Sequence, residues 1–438
     1  MTIVQLCGWY FPDSLGGTET YVAALSEGLR AAGHTVSVAA PDPGASRVRE
    51  YEHDGVQVFR YPIAASPTRA EARHEIPVAG AERLHAWLRT AAPDVVHVHT
   101  FVTGVGPHEI LAAKDAGARV VVTTHSGALG LLCQRGSLMH RGRERCDGVV
   151  IAGKCSACVL EHRGVRGGLA DAVSHVPGAV SRVLGRLPGP AGTLLGMPAF
   201  IDDNRRRQHD MLAAVDAFVV LTDWARAIVS ADAPGAPVVV NALGVRTPPP
   251  ARPPRPYQAP TRVAYVGRFD EIKGVFDLAR ALKAVPDLPI RVEFRGPQRS
   301  ASEQAVVARL RAALDGDQRV TIGDAIAPEQ VYGYLSCVDV LCSPSLTLEG
   351  GPTVALEAMA VGVPVIATRL GAMAELLTDG VNTAFVAPGD WRALADVLTR
   401  IATDPDGTIG RWREALPPIR TMSDVTRDYL SLYDPVAE

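Results

Sequence analysis

Seven prolines fall between Arg246 and Pro260, and neither a helix nor a sheet interior accommodates that density. The stretch reads as an interdomain linker that divides the 438 residues in two. On both sides of it, short runs rich in Val, Ile and Leu alternate with Ala-rich stretches. That pattern predicts βαβ units and parallel sheets, an α/β fold class. Strands are expected at 3–7, 35–39, 56–61, 95–99, 120–124 and 218–221, then at 263–266, 290–294, 320–322, 338–342, 364–367 and 383–386. A helix is expected over 18–32, stopped by Gly33, a residue suited to helix C-termini.

The organisation predicted is a first Rossmann-like domain over 1–245, the linker 246–260, a second Rossmann-like domain over 261–415, and a last helix within 416–438. The segment 127–197, rich in Gly, Arg and Cys with weak periodicity, is expected to be an insertion in the first domain. Hydrophobic residues at 47% and charged residues at 21% supply two cores and rule out a disordered chain. A net charge of −3 gives no general attraction to nucleic acid. No run approaches the ~18 apolar residues of a membrane span. The first seven residues read as a strand rather than a signal peptide, having neither a charged start nor a long apolar run. A cytoplasmic protein with reduced cysteines is expected, and peripheral contact with a membrane stays open.

Ligands of open α/β sheets bind beyond the strand C-termini, so residues just after strands carry most information. After the expected strand 338–342 comes Glu349-Gly350-Gly351-Pro352-Thr353, then a helix bearing Glu357. Glycines there allow close backbone approach, a helix N-terminus at Thr353 offers free N–H groups to a diphosphate, and two carboxylates can accept hydrogen bonds from sugar hydroxyls. After the strand 263–266, Arg268 and Lys273 flank a turn, where they can hold and neutralise a leaving diphosphate. After the first strand comes the glycine pair Gly16-Gly17, and after the strand 120–124 comes His125. His97 and His99 share one face of their strand and suggest packing or support. Taken singly, each residue has an ordinary structural explanation; it is their grouping that points to a site. The Gly-x-Gly-x-x-Gly fingerprint of nicotinamide enzymes is missing from the first turn.

Glu349 followed eight positions later by Glu357-Ala-Met-Ala-Val-Gly-Val-Pro-Val resembles the signature of the family 4 retaining glycosyltransferases. Gly267-Arg268-x4-Lys273-Gly274 resembles that family's phosphate loop, and Gly16-Gly17 its N-terminal glycine loop. The resemblance implies the GT-B fold, two facing Rossmann-like domains with a cleft between them. It implies transfer of a sugar from a nucleoside-diphosphate sugar to a hydroxyl acceptor with retention of configuration, and no cofactor for catalysis. It gives Glu349 and His125 to the donor sugar, Glu357 to the ribose, and Arg268 and Lys273 to the diphosphate. The family's usual loop reads Glu-Gly-Phe-Gly-Leu-Pro, whereas here proline follows Glu349 by three residues. Alternatives are a sugar phosphorylase or nucleotide-sugar epimerase of the same fold, or a non-catalytic sugar-nucleotide-binding module.

Cys133, Cys146, Cys155 and Cys158 follow C-x12-C-x8-C-x2-C spacing, compatible with a structural zinc held by four thiolates, with disulfides or free reduced thiols, or with an iron–sulfur cluster. Cys7, Cys337 and Cys342 read as buried strand or helix residues.

Overall fold

Short apolar runs, buried on both faces, decide both sheets. In the computed structural model, which describes residues 1–13, 16–125, 133–249, 257 and 259–434, the chain forms two units. The first comprises Met1–Ala242 with Met422–Glu438, the second Leu243–Thr421.

The first unit holds the strands β1 (Thr2–Leu6), β2 (Thr35–Pro43), β3 (Arg49–His53), β4 (Val56–Ile63), β5 (Val95–Val98), β6 (Arg119–Thr123), the short pair β7 (Met139–His140) and β8 (Glu144–Arg145), β9 (Ala217–Val220) and β10 (Val238–Val240). Eight of them form one sheet in the order β10-β9-β6-β5-β1-β2-β4-β3. All neighbours run parallel except β3 against β4. The order reverses beside β1, which pairs with β2 on one side and β5 on the other. The helix Gly17–Ala31 follows β1 and ends where Gly33 turns to φ +86°.

The last helix, Met422–Tyr433, belongs to this first unit. It packs on Gly17–Ala31 so closely that a Cβ at Gly28 would lie 2.5 Å from Thr426 Oγ1. Tyr21 donates its hydroxyl to that of Tyr429 at 3.1 Å, and Arg119 Nε donates to the Leu432 carbonyl at 2.7 Å.

The second unit holds β11 (Thr261–Val266), β12 (Ile290–Arg295), β13 (Val320–Gly323), β14 (Val340–Ser343), β15 (Val365–Thr368) and β16 (Thr383–Val386). Their order is β13-β12-β11-β14-β15-β16, parallel throughout, the Rossmann arrangement. Period two splits the side chains between two cores. Val263, Tyr265, Cys342 and Ile366 enter one, while Ala264, Leu341, Val365 and Ala367 enter the other.

Two sequence expectations change, the domain boundary and the burial of Cys337. The units part at Ala242/Leu243, ahead of the proline-rich stretch, because Val245 bridges to Thr421 and Arg246 donates to the Pro328 carbonyl inside the second unit. Residues 250–256 and 258 of that stretch lie outside the described residues. The insertion is largely helical, with helices Ala152–His162, Gly167–Ser174, Gly178–Leu184 and Gly189–Leu195. The first three pack on the helix Met197–Ala214. Cys337 is exposed rather than buried.

Candidate functional site

The sheet of the second unit reverses its strand order between β11 and β14, and the loops after these two strands face the crevice that reversal opens. Both loops carry sequence-predicted residues. After β11 the chain turns through Gly267 and Arg268 into a 3₁₀ turn, Glu271–Lys273, capped by the Asp270 carboxylate on the Ile272 N–H. Gly274 then takes φ +73°, and a Cβ there would lie 1.9 Å from the Pro344 carbonyl oxygen. Only glycine lets the two loops touch at this point.

Further bonds hold the loops together. The Leu346 N–H and the Ser345 hydroxyl both donate to the Ile272 carbonyl, at 2.7 and 3.3 Å. Thr368 Oγ1 donates to the Ser345 carbonyl at 2.7 Å. The backbone of Glu349 is gripped from β15's side, where Ala372 N–H donates to its carbonyl and a Cβ on Gly371 would strike it at 2.3 Å. Across this frame Lys273 Nζ donates to Glu349 Oε2 at 2.8 Å. The structure therefore joins two predicted residues that lie 76 positions apart.

Arg268 is placed differently. It is exposed, its carbonyl accepting from the Tyr265 hydroxyl at 2.6 Å. It lines a depression of about 170 Å³ with Ser300, Ser302 and Glu303. Burial raises the Glu303 carboxyl, but hydrogen bonds from Ser300 and Arg299 and, least, the charge of Arg268 bring it below the usual range.

Gly351 sits where a Cβ would come within 2.7 Å of Leu243 Cδ1. Pro352 is the N-cap of the helix Thr353–Ala360, and no side chain caps it. Thr353 is thus the first helical residue, and the first N–H groups of the helix are open to an anion. Glu357, on the next turn, is half-buried, and burial pushes its carboxyl up to about 7, opposed by the charge of Arg246. Sequence reasoning missed Arg246. It sits in the proline-rich stretch, and its only signal is a positive charge.

In the first unit the order reverses between β1 and β5, and the loops after β1, β5 and β6 end at that place. Gly16 is the N-cap of Gly17–Ala31 and would crowd Glu19 if it carried a Cβ, whereas Gly17 faces open space. Ser14 and Leu15 lie outside the described residues. His125 lies two residues past the end of β6, with its ring 4.6 Å from that of Tyr21. Behind it stands a chain of buried polar groups. His99 Nε2 meets Gln5 Oε1 at 2.6 Å and His99 Nδ1 meets His125 Nε2 at 3.1 Å. A carbonyl oxygen only accepts, so His99 carries its proton on Nε2 and accepts at Nδ1. His125 then donates from Nε2 and keeps a bare Nδ1. His97 bonds Thr123 Oγ1 and the Tyr433 hydroxyl, at 2.7 and 2.6 Å. Burial holds His97 and His99 well below the usual imidazole range and His125 at about 4, so all three are neutral near pH 7.

The four cysteines of the insertion line one small cavity of about 30 Å³ and none is paired in a disulfide. Among the described residues, no three His, Cys, Asp or Glu side chains already stand at metal-ligating distance. No helix of the described residues is long and apolar enough to cross a membrane.

Comparison with known proteins agrees with this geometry. Residues 260–404 match the family described as Glycosyl transferases group 1, and residues 15–168 match Glycosyltransferase Family 4. The chain is 26% identical over 414 residues to a D-inositol 3-phosphate glycosyltransferase of Arthrobacter sp. (strain FB24), covering 90% of this chain and 84% of that one. Among solved structures, sucrose-phosphate synthase from Thermosynechococcus elongatus superposes with a TM-score of 0.66 at 20% identity, covering 100% of this chain and 99% of that one. Anabaena HepE in complex with UDP and glucose superposes at 0.61 and 14% identity, covering 98% of each. These structures share the fold, two parallel-sheet α/β domains of the GT-B class.

Proposed function

The chain belongs to the group 1, family 4 glycosyltransferases, and from that premise we propose that it moves a sugar from a nucleoside-diphosphate sugar to a hydroxyl acceptor with retention of configuration. The observation that carries the reading is the Lys273–Glu349 pair, set at the strand reversal of the second sheet on two loops locked against each other. A cation and a carboxylate at this place match the two demands of a donor, a diphosphate and a polyhydroxylated ring. Beside them the uncapped N-terminus of Thr353–Ala360 adds backbone N–H groups for phosphate oxygens, with Gly351 and Pro352 shaping the approach. Glu357 is the ribose acceptor, and its raised pKa lets it bind a hydroxyl as carboxylate or acid.

In the reaction the bond between the sugar C1 and the diphosphate oxygen breaks, and the acceptor oxygen bonds to C1 from the same face. The acceptor's proton passes to the leaving phosphate oxygen. Lys273, Arg268 and the helix N-terminus stabilise the negative charge that develops there, the role a divalent cation fills in other enzymes of this chemistry. His125, neutral and with Nδ1 free to accept, is suited to a sugar hydroxyl. A cytoplasmic location fits the seven unpaired cysteines and a soluble nucleotide donor.

The test is a thermal-shift screen of nucleoside diphosphates and their sugars, followed by mass spectrometry with an acceptor panel that includes inositol phosphates. A glycosylated product whose anomeric proton coupling matches the donor's supports the reading. Phosphate-dependent cleavage of a glycoside, or epimerisation without an acceptor, contradicts it, as does donor binding with no turnover on any acceptor.

A further inference from the structure

Four thiols converge in the insertion by a route the reaction does not need. Cys133 opens a turn closed by the Gly136 N–H on its carbonyl at 2.9 Å, and Cys146 returns to the same strand end by donating to the Leu138 carbonyl at 2.8 Å. Between them β7 and β8 form a hairpin whose tip, Arg141 and Gly142, takes φ +49° and +74°. The other two thiols, Cys155 and Cys158, lie one helical turn apart on Ala152–His162, so they share a face. Hairpin and helix meet at one cavity of about 30 Å³, the size of a single ion or water, and all four thiols line it.

A second feature ties the tip of the hairpin to a sulfur of the helix. The Arg141 backbone N–H donates to Cys158 Sγ at 3.2 Å. Positive charge is at hand as well. Arg135 and Lys154 line the same cavity, and Arg135 donates to the Cys158 carbonyl. Four thiolates around one divalent ion carry a net charge of about −2, which Arg135 partly offsets, Lys154 being already paired with Asp147.

We propose that Cys133, Cys146, Cys155 and Cys158 bind one zinc ion that fastens the hairpin to the helix. The backbone frame is in place, and the thiols close on the ion by side-chain rotation, each releasing its proton to solvent. Four soft thiolate ligands select zinc over harder cations, and four protein ligands leave no position for substrate. The role is structural: the insertion's helices are short, and a cross-link between its first and second parts replaces the core that short segments cannot build.

The test uses the full chain purified without a metal-affinity tag or chelator. Elemental analysis should give about one zinc per chain, and a mercurial thiol reagent should release it into a zinc-sensitive dye. Cys155→Ser/Cys158→Ser should lose the metal, while Cys337→Ser, at an exposed cysteine outside the cavity, should keep it. Should the double variant not fold, Cys133→Ser read by native mass spectrometry tests the same point, as does a thiolate-to-cobalt band in cobalt-exchanged wild type. The proposal is overturned by metal-free protein whose four thiols react freely, by disulfides in peptide maps of that segment, or by iron in place of zinc.

Discussion

Lys273→Ala separates two roles that the structure superimposes on one side chain. The ammonium lies 2.8 Å from Glu349 Oε2, and both side chains are partly buried. At ~4 Å between charge centres and an effective dielectric near 20, the gross attraction is about 4 kcal/mol. Desolvation and side-chain ordering reduce the net contribution to about 1 kcal/mol. The fold should therefore survive with Tm lower by about 2–4 °C for a domain of this size. Turnover should suffer far more. A preorganised cation on a leaving diphosphate contributes about 2.7–4 kcal/mol, so kcat should fall by ~10²–10³. Arg268→Ala, at an exposed residue, should cut kcat by at least ~10² with no change in Tm. Glu349→Gln makes the sharpest contrast. It frees Lys273 from its carboxylate, so the nucleoside diphosphate product should bind more tightly while sugar transfer falls. Initial rates by mass spectrometry, calorimetric titration with the nucleoside diphosphate, and scanning calorimetry on the same preparations give all three quantities. Wild-type kcat in Lys273→Ala with only a lowered Tm would reduce Lys273 to a prop for Glu349 and remove it from the chemistry.

Activity should persist through brief exposure to EDTA, because Lys273, Arg268 and a helix N-terminus supply the positive charge; a strict, reversible Mg²⁺ or Mn²⁺ requirement would contradict the mechanism. Glu357 has a folded pKa of about 7 against an unfolded value near 4.5, so the folded state holds its proton more tightly, and the stability linked to it is full below about 4.5 and lost as pH rises through 7. Glu357→Gln should therefore raise Tm at pH 8 by the equivalent of at most about 3 kcal/mol and change little at pH 4; equal effects at both would refute the burial argument. His125, held at about 4, and the neutral pair His97 and His99 have depressed values, so their contribution is present above about 6.5 and lost as pH falls toward 4. Tm should drop across that window, and the slope should flatten in His125→Gln; an unchanged slope would place the acid sensitivity elsewhere.

Strands buried on both faces were legible because they appear as runs of Val, Ile and Leu, and every such run forms a strand in one of the two sheets. The elements the sequence concealed are those that break the pattern. β3, Arg49–His53, is a polar edge strand with its residues largely outside the core, and β10 has only three residues. The insertion's helices are too short, at seven to eleven residues, and too rich in glycine to show a 3.6-residue period. Motif residues were found because each lies in the loop or helix that follows a strand. Their pairing was not, since nothing local connects Lys273 to Glu349 or Arg246 to Glu357. The histidines were seen as sharing a strand face, but Gln5, Thr123 and Tyr433, which bond them, and Tyr429, which bonds Thr123, come from separate parts of the chain.

That last connection has a consequence for synthesis. Tyr429 and Tyr433 cover Thr123 and His97, yet the ribosome makes them only after the whole second unit. The first half of the chain thus emerges with its histidine cluster uncovered and the flank of Gly17–Ala31 bare. Vectorial folding, in which an N-terminal domain is finished before the next begins, does not apply here. The second unit can close early, while the first, its strands already made, waits for residues 422–433 to return and cover one face of its sheet.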